Sequence, residues 1–283
     1  MTPAAQFRIM GVANVTPDSF SDGGRYIQPE KAISHGLELA AEGAAIVDIG
    51  GESTRPGALP VGAEEELRRV LPVIAGLTAA GTAARISVDT SKAQVASEAL
   101  EAGATFVNDV TALRGDPGMA SLVASSGADL CLMHMLGEPR TMQDDPRYED
   151  VVSEVKAFLE ERLQFAVREG VDEERILLDP GIGFGKTAAH NLELIDRLDE
   201  IVALGRPVVI GASRKSFIGR ITGRQDPFDR VAGTAAVNVL AYERGARVFR
   251  VHDVAPSHDA LAMVAATVSR RWTETTRPTS STT

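Results

Sequence analysis

The chain has 283 residues, of which 44% are hydrophobic; 29 Lys and Arg stand against 39 Asp and Glu, a formal charge of −10. An acidic chain with no long run of one sign is a poor partner for nucleic acid or an anionic membrane, because both need clustered Lys and Arg. A single cysteine, Cys131, excludes an internal disulfide and any multi-cysteine metal site.

Short apolar runs alternate with longer amphipathic ones. FRIMGVAN (7–14), AAIVDIGG (44–51), ARISVDT (84–90), TFVNDV (105–110), DLCLMHM (129–135), RILLDP (175–180), RPVVIGAS (206–213) and RVFRVHDV (247–254) are brief and rich in Val, Ile or Leu. They read as strands buried on both faces. PEKAISHGLELAAEG (29–43) and SKAQVASEALEAGA (91–104) carry apolar residues at helical spacing with a Gly near the end, and residues 148–170 form the longest helical pattern. Eight strands, each followed by a helix, predict a (β/α)8 TIM barrel. No linker or shift in composition divides residues 1–283, so a single domain is expected. The start, MTPAAQFRIMG, lacks a signal-peptide pattern, and no apolar stretch approaches the roughly 18 residues of a membrane helix. A soluble cytoplasmic protein is expected, with a disordered polar tail over about 272–283.

Active sites of such barrels sit at the C-terminal strand ends. The polar residues there are Asn14, Asp48 to Glu52, Asp89, Asn108, Asp109, His134, Asp179, Ser213 to Lys215 and Arg250 to Asp253. Strand ends turn polar in any barrel, so about half of such residues are solvated or structural in a generic case. Two long loops, NVTPDSFSDGGRY (14–26) and GGESTRPGALP (50–60), follow the first two strands; loops of this length at a barrel mouth are more often lids than simple connections. The segment DPGIGFGKT (179–187) looks like a phosphate-binding loop. The P-loop pattern requires Gly where Pro180 stands, and the dinucleotide pattern requires Gly where Lys186 stands, so both fail. Lys186 then reads as a solvated or structural charge, and His190 has no assigned role.

NVTPDSFSDGG, DIGGESTRPGA, SVDTSK, NDV, DPGIGFGKT, GASRKSFIG and RVHDV resemble, in order and spacing, the motifs of the dihydropteroate synthase family, from residue 14 to 254. The resemblance implies a (β/α)8 barrel of folate biosynthesis. Such an enzyme joins 4-aminobenzoate to (7,8-dihydropterin-6-yl)methyl diphosphate and releases diphosphate with Mg2+ present. It also implies a homodimer and competition by sulfonamides at the aminobenzoate pocket. Asp89, Asn108 and Asp179, with Lys215, Met133 and Phe184, are then the residues expected to grip the pterin. A flat heterocycle with amide-like edges needs such acceptors and apolar faces. Asn14, Arg55, Arg250 and His252 are expected around the diphosphate, with Asn14 toward Mg2+, an ion that keeps waters and borrows phosphate oxygens. Thr54, Arg55, Pro56, Phe184, Lys215 and Ser216 are expected to line the aminobenzoate pocket. Asp22, Arg55, Asp89, Lys215 and Arg250 are the catalytic candidates. The sequence departs from the family's usual pattern at Ala13 and Leu136.

Each assignment has a plainer alternative. Asp89 could cap the helix beginning near Ser91. Ser213 could cap the helix opened by SRKSF. His252 alone is more often a structural hydrogen bonder. Cys131 reads as barrel packing, and His134 is placed to face the pocket but has no role. Lys215 at a strand end could form a Schiff base, as in an aldolase. A folate-dependent methyl-transfer barrel would share the pterin grip without needing STRPG and SRKS. A binding-only protein would not need Asn14, Arg55, Lys215, Arg250 and His252 together.

Overall fold

The computed structural model describes residues 7–16, 28–53 and 57–269. Eight parallel strands form one sheet: β1 Arg8–Asn14, β2 Ile46–Gly50, β3 Arg85–Asp89, β4 Phe106–Asp109, β5 Asp129–Met133, β6 Ile176–Asp179, β7 Val209–Ile210 and β8 Val248–Val251. Their order is β6-β5-β4-β3-β2-β1-β8-β7. A parallel bridge between Leu178 and Val208 brings the ends together, so the sheet is a (β/α)8 barrel. Asp22, Thr54, Arg55, Pro56 and the expected tail lie outside the described residues.

The strands are shorter than the apolar runs. The largest difference is β7, expected over 206–213 and formed over two residues. Pro207 has no N–H to give to a ladder. Its carbonyl still accepts from Leu178 N at 3.0 Å, which keeps the barrel closed there.

The helices are α1 Pro29–Ala41, α2 Ala63–Ala79, α3 Ala93–Glu101, α4 Met119–Ser126, α5 Val151–Arg168, α6 Ala188–Asp196, α7 Leu198–Val202, α8 Ser216–Thr222, α9 Val231–Glu243 and α10 Val254–Ser269. Local chemistry explains their starts. Pro29 occupies the first turn of α1, where its missing N–H costs nothing. Asp150 caps α5 by accepting from Ser153 N. Thr187 and His190 form a capping box on α6, which gives His190 a structural role. None of the helices among the described residues is long and apolar enough to cross a membrane.

Two apolar layers result. The larger packs helices against the outer face of the strands. The smaller joins Met10, Ile46, Phe106, Cys131, Leu177, Val209 and Val248 as a separate cluster. These residues share the inward parity of their strands, so they fill the barrel interior. Cys131 is therefore packing, as the sequence reading expected.

Candidate active site

Period-two alternation carries the inward side of each strand upward from the apolar plug. Two residues above Ile46 stands Asp48, above Phe106 stands Asn108, and above Val248 stands Arg250. Strand pairing aligns Asp48 with Ser87, Gly50 with Asp89, and Asp89 with Asn108. A polar layer thus lies directly on an apolar one.

Arg250 is the hub of that layer. Its Nε donates to Asp48 Oδ2 and its Nη2 to Asp89 Oδ2, each at 2.7 Å. Nη1 makes no hydrogen bond among the described residues. Asp48 is fully buried and also accepts from Ser87 Oγ at 2.6 Å and Asn108 Nδ2 at 3.0 Å. That last bond orients the Asn108 amide and leaves its Oδ1 for another donor. Burial pushes the Asp89 carboxyl well above its usual range; the negative charges of Asp48, Glu66 and Asp109 add to this and Arg250 opposes it. Asp89 does not cap a helix. The start of α3 is at Ala93, whose N–H is taken by Asp116 Oδ2 at 2.9 Å.

Asp179 faces the same mouth from β6. It is buried, its carboxyl is raised by that burial, and its Oδ1 accepts from Gly181 N at 2.7 Å. Lys215, after β7, donates to the Ile182 carbonyl and stands 4.1 Å above the Phe184 ring centroid. Removal from water pushes the Lys215 ammonium down to about 7, aided by the positive charge of Arg250 and opposed by Asp179. Met133 is buried beside Val110, Met135 and Met142, with Phe184 packed on this group. Apolar and charged groups therefore meet at the mouth, where the Lys215 head lies against the Phe184 ring.

The remaining expected residues fall around the rim. Asn14 ends β1 opposite Gly50. His252 follows β8, and its backbone N and Nδ1 each lie 3.1 Å from Ser213 Oγ. Ser213 therefore does not cap the next helix: α8 starts at Ser216, with Lys215 at the cap position and no side-chain cap bond. Ser216 is exposed at that start.

One expectation about a side chain is corrected, and one left open is narrowed. His134 does not face the pocket. Its ring stands edge-on to Phe158 of α5 at 4.8 Å, and its Nδ1 meets Lys186 Nζ at 2.9 Å. Burial and the charges of Lys186 and Arg114 push the imidazole down to about 2, so it is neutral. Of the two readings of Lys186, solvated or structural, burial favours the structural one: it is 3% exposed. Ala13 is buried, and Leu136 abuts Gly185, so neither unusual residue lies among the charged groups.

Asp48 had no role in the sequence reading. Its signal was a lone carboxylate inside the apolar run IVDIG, where an unpaired charge could not be tolerated. The Arg214–Asp253 pair was also missed. Arg214 Nε and Nη2 reach the two oxygens of Asp253 at 2.9 and 2.5 Å. Arg214 has φ of +60°, a costly backbone for a non-glycine residue, held just before Lys215.

Three carboxylates, an oriented amide, two cations and an apolar wall thus meet at one barrel mouth, the end at which enzymes of this fold carry their active sites. The comparisons with known proteins agree. The family described as "Pterin binding enzyme" matches residues 10–252. The dihydropteroate synthase of Mycobacterium leprae is 48% identical over 268 residues, covering 93% of this chain and 94% of that one. The structure of Xanthomonas albilineans dihydropteroate synthase with 4-aminobenzoic acid matches with a TM-score of 0.88 and 52% identity, covering 94% of each chain. A structure of the X. albilineans enzyme in complex with 7,8-dihydropteroate matches at 0.85 and 48%, covering 94% of this chain and 95% of that one. The chain belongs to the dihydropteroate synthase family, whose members are transferases.

Proposed function

We propose that the chain condenses 4-aminobenzoate with (7,8-dihydropterin-6-yl)methyl diphosphate to give 7,8-dihydropteroate and diphosphate. The observation that carries this reading is the Asp48–Arg250–Asp89 bridge beside Asp179 and Lys215 at one barrel mouth. In this reading Asp179 and Asp89 accept from the pterin's amino and ring N–H groups. Asn108 serves the other edge, and Lys215 donates to the ring carbonyl. Met133 and Phe184 cover its faces.

The methylene C–O bond breaks, and its electron pair leaves with the diphosphate. The positive charge left on the methylene spreads into the ring, where carboxylates already in place stabilise it without reorganising. The neutral arylamine nitrogen then attacks the methylene, a C–N bond forms, and the amine proton is released. Asn14, Arg55, Arg250 and His252 hold the diphosphate; Thr54, Arg55, Pro56, Phe184, Lys215 and Ser216 receive 4-aminobenzoate, and sulfonamides compete there. Asp22 steadies the cation or steers the proton.

Among the described residues no three His, Cys, Asp or Glu gather as a metal cage. One amide oxygen, Asn14 Oδ1, together with substrate oxygens and water, suits Mg2+, which is bound with few protein ligands. That ion would neutralise charge on the diphosphate.

A homodimer and a cytoplasmic setting belong to the same proposal. Helices α9 and α10 still expose Leu240, Met263 and Val268, apolar surface that a second copy would cover. A lone buried thiol suits a reducing compartment.

Diphosphate release from the pterin substrate, measured with and without 4-aminobenzoate and Mg2+, tests the reaction. Release that requires both is expected; a carbonyl substrate trapped on Lys215 by borohydride would overturn it in favour of an aldolase. Lys215 makes a pH prediction. It is charged below about 7 and neutral above. If the ammonium is the required donor, kcat/KM, which reports the free enzyme, falls as pH rises through that value. Lys215→Arg, charged at every pH, is expected to be slower but to lose this alkaline limb. A limb unchanged in that variant would assign it to another group.

A further inference from the structure

The turn after β6 has no helix or strand to satisfy its backbone, yet four consecutive carbonyls each receive a side-chain donor. Lys215 Nζ donates to Ile182 O. Gln143 Nε2 reaches Gly183 O at 2.6 Å, Lys186 Nζ reaches Phe184 O at 3.0 Å, and Tyr148 Oη reaches Gly185 O at 2.8 Å. The donors come from the segment after β5, from the segment after β7 and from the turn itself.

Lys186 is the unusual member. It is almost completely buried, and it feels the charge of Asp179 without a hydrogen bond to any carboxylate among the described residues. Its other contact is the neutral His134 ring. Burial pushes the Lys186 amine well below its usual range, the charge of Asp179 opposing this only in part and Lys215 adding to it; an apolar side chain of similar length would avoid that cost. Stability therefore does not explain a lysine here. What only an amine supplies at this point is a donor that joins the Phe184 carbonyl to His134, at the end of β5. The ring of that same Phe184 lies against Lys215 on the pocket side.

We infer that Lys186, braced by His134, is a positioning residue: it holds the Phe184 backbone so that the ring and the Lys215 head meet in the geometry the arylamine site requires. Lys186 touches no substrate. The inference rests on the proposed reading of Phe184 as a wall of the aminobenzoate pocket.

The experiment compares Lys186→Met, Tyr148→Phe and Phe184→Ala with the unmodified enzyme. The readouts are KM for 4-aminobenzoate, calorimetric affinity for the pterin diphosphate, and melting temperature. Lys186→Met is expected to melt no lower than the parent, to bind the pterin diphosphate within about twofold, and to raise KM for 4-aminobenzoate roughly tenfold, since small misplacements of positioning groups are costly. Tyr148→Phe, which loses one hydroxyl, tests the same bracing without touching the buried amine; a rise of about threefold is expected. A higher KM in Phe184→Ala with unchanged KM in both other variants overturns the inference and leaves the pocket reading standing. An unchanged KM in Phe184→Ala overturns the pocket reading and the inference with it. A lower melting temperature in Lys186→Met at unchanged KM would mean a merely structural lysine, and also overturns it.

Discussion

Replacing Arg250 with methionine is expected to lower diphosphate release by about a thousandfold or more, the scale seen when a preorganised electrostatic donor is removed. The side chain has two tasks in the proposed mechanism. It orients Asp48 and Asp89 through Nε and Nη2, and it offers Nη1 to the diphosphate. Methionine keeps most of the volume but removes both. The stability effect has a sign that can be worked out. Asp48 and Asp89 would be left buried without their shared cation, and breaking a buried ion pair from one side costs about 3–5 kcal/mol. The Asp89 carboxyl, already raised by burial and now without the opposing charge of Arg250, would rise further above its unfolded value. A carboxyl raised in this way destabilises the fold at pH values above its unfolded pKa, and the penalty shrinks as pH falls toward and below the folded value. The variant should therefore melt well below the parent at pH 8 and closer to it at pH 5.5. Near-normal turnover, or a melting deficit that does not vary with pH, would refute this account. Lysine at the same position is no conservative control, because one ammonium cannot reproduce the planar fork that spans two carboxylates.

Gly181→Ala should damage stability and activity together. At Gly181 φ is +67°, and a Cβ there would lie 1.9 Å from the His134 carbonyl oxygen. The obstacle is backbone at the end of β5, which has little room to yield. The left-handed conformation alone costs alanine about 1–2 kcal/mol, and displacement of the turn adds to that. Gly181 N also donates to Asp179 Oδ1, so any displacement moves the carboxylate proposed to hold the pterin. A loss of about 3 kcal/mol in stability and roughly a hundredfold in kcat/KM is expected. Gly183→Ala is the informative comparison. There the new Cβ would meet Lys215 Cδ at 2.8 Å, a flexible side chain. That variant should lose less stability while still disturbing Lys215. Equal melting temperatures for Gly181→Ala and the parent would show that the turn is not pinned against β5.

These glycines show where reading along the chain stopped short. GIGFGK has the composition of a phosphate loop but not its spacing. The fold gives the reason for the glycines: at positions 181 and 185 the turn lies against the backbone of His134 and Leu136, closer than any Cβ permits. Nothing in the local sequence announces a contact with a segment some fifty residues earlier. The same holds for Lys186. It is buried beside the ring of His134, which itself stands edge-on to Phe158 of helix α5.

Apolar runs of strand length, helical spacing between them and a polar residue ending each run were enough to determine the eightfold barrel and the face that carries its site. Those features depend on periods of two and 3.6 residues, which any stretch of chain displays by itself. The motifs likewise marked Asp89, Asn108, Asp179, Lys215 and Arg250 as belonging together at one mouth. Only the tertiary structure decided how they divide the work: Asp48 as the buried acceptor of three donors, Arg250 shared between two carboxylates, Ser213 turned to His252, and Lys186 under the turn instead of in water. Each of those is a contact between strands or loops far apart in sequence. Their energies depend on mutual distance and on exclusion of water, and neither exists until the barrel has closed.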